Sequence, residues 1–374
     1  MVFCIRNMKR LTNTICSLQL GGFWEMKKWL FMIVLLLIVA GCSKDKEEQV
    51  DAEEPIITDG KSEENSPDEE VVLPYAAPFS GERSEEEFTN RPVLVTVNNH
   101  PKARPQSGLA SADIVYEMVA EGNITRLLAL YQSELPSQIG PVRSARDYFV
   151  NIAKGLDAFY VAHGYSPDAK LMLRNGEVDH INGMQYDGSL FIRSNDRVAP
   201  HNSYITGEHV LEGMEKEGAR TTIEKVPSLD FYSSAKDVPL SDLASIIEVR
   251  YGSSEDFHHM YSYDTLTQQY SRTSGGTITL DNESQEEISL ANVLFLEVVH
   301  QTIDKAGRQQ LDLSSGGKGY LFQAGVMKEI EWQQVNGVLV PMENGQPAKL
   351  VPGKSWVHLV KTNPGLDQMV TFTP

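Results

Sequence analysis

From Arg91 onward the chain is built of short runs rich in β-branched and aromatic residues, and what separates those runs limits its fold more than any other feature. Up to about residue 222, amphipathic helical segments stand between them; beyond it, only turn residues do. "RPVLVTVNN" reads as a buried strand bounded by Pro92 and Asn98-Asn99. "ADIVYEMVAEGNITRLLALYQS" reads as a hairpin turning at Gly122-Asn123, although Ile114, Val115, Met118 and Val119 also suit a helix over 113–120. Ala145, Tyr148, Phe149, Ile152, Ala153 and Leu156 then recur at helical spacing, with Ser144 as the expected cap, Asp147 as its box-like partner and an end near Gly155. "DAFYVAHG" is a strand, Ser166 caps a helix with Pro167 in its first turn, and Thr206 caps another. Strands alternating with helices predict an N-terminal α/β layered domain with a mixed sheet over 86–224. Runs such as "IIEVRYG", "NVLFLEVVHQTI" and "KSWVHLVKT", with turns at Asn344-Gly345 and Pro352-Gly353, predict a β-rich C-terminal domain over 225–374, a meander or small barrel. The expected fold class is α+β.

The first 85 residues read as an address and a tether. "MKKWLFMIVLLLIVAGCSK" joins a lysine pair, a twelve-residue apolar run and small residues before Cys42, the pattern of a bacterial lipoprotein signal over 26–41 with lipid on Cys42. As a spanning helix that run would reach only about 18 Å, short of the roughly 30 Å hydrocarbon core. The signal is complete from Met26, so residues 1–25 read as an extension from a start codon assigned too early; Gly21-Gly22 can be encoded by a ribosome-binding sequence. Residues 42–85 are acidic, and 43–74 contain no aromatic residue, so the segment reads as a disordered spacer. The expected location is the outer face of the cell membrane, lipid-anchored.

The net charge of −18 is unevenly spread: residues 1–42 carry five bases against one acid, and 43–90 hold 16 acids against four bases, leaving −10 for the rest. That moderate acidity argues against a nucleic-acid surface, which needs a basic face to displace counterions. All three cysteines, at 4, 16 and 42, precede the folded part, so it has neither a disulfide framework nor a cysteine-ligated metal site. No H-x-H, H-E-x-x-H or D-x-D-x-D pattern points to a metal, and no cofactor motif is present.

"NNHPKARPQSGLASADIVYEMVAEGNITRLLALYQS", "IGPVRSARDYF" and "RVAPHNSY", in that order, resemble the YerB-like family of lipoproteins, a two-part family of unknown function found mainly in spore-forming and related Gram-positive bacteria. The resemblance spans residues 90 to about 360. It implies an extracytoplasmic address and a β-rich second part, and no reaction.

Within those motifs Arg143 and Arg146 flank an expected helix start, where free N–H groups and guanidinium forks can hold a phosphate or carboxylate. The plainer reading is that each pairs with a local acid such as Asp113, Glu117 or Glu121. Arg104 and Arg126 are candidates to converge on the same place. A second group joins His163 at a strand end with His201, Arg197, Asn202 and Asp196; imidazoles there can act as acid and base, or fix a loop. Ser166 lacks G-x-S-x-G and is a cap, "SSGGKGY" lacks P-loop spacing, and His258 and His259 should point to opposite faces of a strand. The function expected is a binding or scaffolding module for an anionic envelope ligand or a partner protein. The alternative is an envelope hydrolase using His163 and His201 with a carboxylate.

Overall fold

The computed structural model describes residues 73–227 and 229–374, and the statements below concern those residues. The extension 1–25, the signal 26–41, Cys42 and most of the expected tether lie outside them.

The first half supplies β1 (Val93–Asn98), β2 (Ile114–Glu121), β3 (Ile124–Tyr131), α1 (Asp147–Gly155), β4 (Phe159–Ala162), α2 (Pro167–Arg174), β5 (His180–Asn182), β6 (Phe191–Arg193), β7 (Ser203–Thr206) and α3 (Gly207–Lys216). Residues 114–121 form the hairpin with β3 and not the helix, because both faces of β2 are covered: Ile114, Tyr116 and Met118 enter one core, Val115 and Val119 the other. Gly122 turns the chain with φ 59°, a left-handed conformation that costs glycine least. Ser166 and Thr206 cap as expected, accepting from the N–H groups of Ala169 and His209.

The second half supplies β8 (Ile246–Arg250), β9 (His258–Asp264), β10 (Gln269–Ser274), β11 (Asn292–Thr302), β12 (Gln309–Asp312), β13 (Gly317–Gln323), β14 (Val326–Val335), β15 (Val338–Glu343), β16 (Ser355–Lys361) and β17 (Val370–Thr373). These strands do not close on themselves as a meander or barrel. β11 and β13 to β16 instead extend the sheet of the first half, in the order β15–β14–β13–β11–β16–β2–β3–β1–β4–β5. β16 runs parallel to both β2 and β11, so one mixed sheet crosses residue 225 without a break. β10–β9–β8–β17 make a second, antiparallel sheet.

Two apolar layers follow from the alternation along the shared strands. On one face Leu94, Leu128, Leu130 and Leu294 meet Tyr148, Phe149 and Ile152 of α1 and Leu173 of α2. On the other, Val115, Val293, Phe295 and Trp356 meet Ile247, Tyr261 and Tyr270 of the second sheet. The described residues are mostly β with mixed sheets; α1 and α2 pack into one apolar layer, and Val210 and Met214 of α3 join the other.

Candidate functional site

The segment before α1 stays extended through Ala145, which bridges to Tyr165 and donates from its N–H to the Gly164 carbonyl. Helical geometry therefore cannot begin at Ser144. Its hydroxyl donates to the His163 carbonyl, and the N-cap is Arg146, with no side-chain cap bond. Asp147 places a carboxylate in the first turn, so the expected open helix start already holds an acid.

Arg146 takes the plainer of its two expected parts, pairing with a local acid. Arg146 pairs with Glu121 Oε1 and donates from Nη1 to the Ala145 carbonyl at 3.0 Å. Arg126 converges on the same carboxylate, with Nη2 at 2.8 Å from Glu121 Oε1 and Nη1 at 2.7 Å from the Ser144 carbonyl. Arg143 lies beside both; burial, ahead of the Arg146 charge, lowers its pKa. Among the described residues its guanidinium has no hydrogen-bond or ion-pair partner, and both Arg143 Nε and Arg146 Nε are buried and unmatched. Burial and the Arg146 charge also bring Arg126 down to about 9. Two guanidinium groups therefore share one carboxylate, and a third lies beside them unpaired.

Arg143 also links this group to the histidines, because its charge depresses His100, His163 and His201 alike, after burial as the main cause. His100, which the sequence reading did not single out, stacks on His201 with ring centroids 4.6 Å apart. Asn98 Nδ2 donates to His201 Nδ1 at 2.8 Å. Arg193 Nη2 donates to His163 Nε2 at 3.0 Å, so the proton of a neutral ring sits on Nδ1, 2.7 Å from Ser203 Oγ. Asn202 accepts from Arg193 at 3.2 Å, and Asp187 pairs with Arg193 at 2.9 Å.

Two candidates fall elsewhere. Arg197 ties its loop down through the Ala103 carbonyl, Tyr204 hydroxyl and Pro105 carbonyl at 2.6 to 2.7 Å, a structural part. Arg104 does not converge on Arg143; it turns toward the second sheet, where Nη1 donates to the Asp256 carbonyl at 3.0 Å.

A second constellation, absent from the sequence reading, lies between the two sheets. Glu117 of β2 is fully buried and accepts from Asn99 and Thr125 on one oxygen, and from Arg272 and Trp356 on the other, at 2.8 to 3.0 Å. His259 Nε2 stands 3.0 Å away and is bonded through Nδ1 to Ser274 Oγ at 2.9 Å. His358 is held by the hydroxyls of Tyr251 and Tyr261 at 2.7 and 2.6 Å. Burial alone would raise the Glu117 carboxyl; His259 and Arg272 outweigh it and hold the group well below its ordinary range. Burial lowers His259 to about 4 and His358 to about 3. As expected, His258 faces the other way, toward Glu248 and Glu255. Nothing local marks Glu117: its partners are up to 239 positions distant in sequence.

Residues 79–220 match the N-terminal domain, and 247–357 the C-terminal domain, of a protein family of unknown function, DUF3048. Residues 26–43 match a prokaryotic membrane lipoprotein lipid attachment site. The chain is 45% identical over 293 residues to YerB of Bacillus subtilis (strain 168), itself named as a lipoprotein, covering 78% of this chain and 87% of that one. It superposes on the crystal structure of YerB from Bacillus subtilis with a TM-score of 0.74 and 42% identity, covering 80% of this chain and 99% of the other.

Proposed function

This chain belongs to the two-domain DUF3048 family and is a lipid-anchored membrane lipoprotein, and from that premise we propose that it is a binding module on the outer face of the membrane whose ligand is an anion held by Arg143. The observation that carries the reading is the charge imbalance beside α1: Arg126, Arg143 and Arg146 lie together, and Glu121 pairs with Arg126 and Arg146 but not with Arg143. Packing like charges in a partly buried place is unfavourable unless an anion offsets them. Arg143 is the group with free donors, and the imidazoles of His100, His163 and His201, kept neutral by burial and the neighbouring positive charges, border it as further polar groups. Charge-assisted hydrogen bonds from a guanidinium fork suit a phosphate or carboxylate.

A hydrolase reading has less support. A general base needs an orienting carboxylate on its far nitrogen, whereas His163 has a guanidinium there and a buried serine on the near one. His201 faces an amide.

Thermal melts at low salt, with and without inorganic phosphate and acetate, test the binding reading. A bound anion at about a hundred times its dissociation constant stabilises the fold by about 2.7 kcal/mol. Arg143→Gln should remove that gain while leaving the ligand-free melt nearly unchanged, because the side chain makes no bond of its own. A melting temperature indifferent to both anions overturns the proposal.

A further inference from the structure

A second, separate site lies where the two matched domains meet. A cavity of about 320 Å³ is lined by Pro101, Arg104 and Pro105 from the first domain and by Ser274, Ile278 and Leu280 from the second. That is the small end of the range for small-molecule sites, which favour such junctions.

Its polar wall is fixed before any ligand arrives. Arg104 donates from Nε to Asn99 Oδ1 at 3.2 Å and from Nη2 to the Asn99 carbonyl at 2.9 Å, and Asn99 is itself bonded to Glu117. Ser274 reaches Glu117 by a second route, through His259. Thr279 in the same wall accepts from Arg272 at 3.0 Å. The buried network thus acts as the foundation of the cavity.

The charges are unbalanced. Arg272 and Trp356 take one oxygen of Glu117, and Asn99, Thr125 and His259 take the other, leaving no oxygen for Arg104. Arg104 bonds only to carbonyl and amide oxygens, and among the described residues it forms no ion pair. Burial, then the Arg272 charge, lowers it to about 10. Asp256 lends its main-chain carbonyl; its exposed carboxylate, like Glu117, acts on Arg104 only through space. Besides this unpaired guanidinium the lining is partly apolar, from the two prolines, Ile278 and Leu280.

We infer that this cavity binds a small carboxylate with a short aliphatic body, its head on Arg104 and its tail against Pro101, Pro105, Ile278 and Leu280. The ligand would bridge the two domains at their seam.

Pentanoate is the probe, with 1-pentanol, pentylamine and acetate as comparisons. They are titrated into the mature lipidated chain in detergent micelles, and binding is read by saturation-transfer NMR and by the melting temperature. Pentanoate should bind best, since 1-pentanol lacks the charge, acetate lacks the body and pentylamine has the wrong sign. Arg104→Gln should weaken it at least about tenfold, the loss of a charge-assisted bond. That change also frees Asn99, so Ile278→Trp gives an independent arm. Ile278 is 41% exposed, and a larger side chain there fills the cavity without entering a core. Arg143→Gln should remove only the binding that acetate shares and leave the part of pentanoate binding that Ile278→Trp abolishes, which separates this site from the anion site beside α1. Pentanoate binding no tighter than 1-pentanol or pentylamine, or binding undiminished by Ile278→Trp, overturns the inference.

Discussion

Glu117, His259 and His358 make the fold sensitive to acid, and the sign follows from their titration. In the unfolded chain both histidines take up protons near pH 6.5, but in the fold burial holds them neutral to about 4 and about 3. Stability is therefore complete above about pH 6.5 and falls as the pH drops toward 4. Glu117, also depressed, adds its own loss below about 4.5. Urea midpoints at about pH 7, 5.5 and 4.5 should decline in that order, and a flat series would contradict the buried neutral histidines. Residues of this kind escape a sequence reading for a physical reason. Arg143 and Arg146 stood out because two like charges sit within one short stretch, whereas Glu117 and Arg272, 155 positions apart, meet only after two sheets have closed. Arg104 was legible as a candidate but assigned to the wrong neighbours, since nothing in "NNHPKARP" says which sheet its side chain will face.

Among the elements, α1 was predicted with the right apolar face and the right end, and with the wrong beginning. Helical spacing reports what is buried, and Tyr148, Phe149 and Ile152 are buried as the spacing required. The cap at Ser144 failed because the chain there is still bonded to residues 163–166, a partner that local pattern cannot reveal. The end of α1 carries a further constraint. Gly155 packs backbone against backbone on Gly337, in the turn between β14 and β15, and an added Cβ would collide with the Gly337 carbonyl. Gly155→Ala improves helix propensity by up to about 1 kcal/mol in isolation, yet overpacking against main chain costs about 1 to 3 kcal/mol or more. Net destabilisation is expected, read as a lower denaturant midpoint with an unchanged slope. A stabilised variant would show that the contact is loose.

At the scale of the whole molecule, the switch in periodicity near 225 does not end a sheet: strands from both sides of it share one. Strand-like runs identify strands and say little about which sheet will accept them. β16 lies between β2 and β11, and β2 has seven of its eight residues buried. A nick in residues 222–243 should accordingly leave two fragments that stay together under native conditions. A chain ending at 354 should lose its cooperative thermal transition by circular dichroism, because β2 becomes a long apolar edge. A cooperative melt close to that of the full chain would show that the first half stands alone. The place of β16 also sets an order of events. Synthesis runs from the N-terminus, so the strand that completes the first half is delivered late, and Glu117 waits for Trp356, 239 positions further on. Contacts so distant in sequence form slowly, and an open edge invites association while they do. A protein tethered by its first residues and closed by a late strand spends its vulnerable interval at the membrane surface, among other copies held in the same plane.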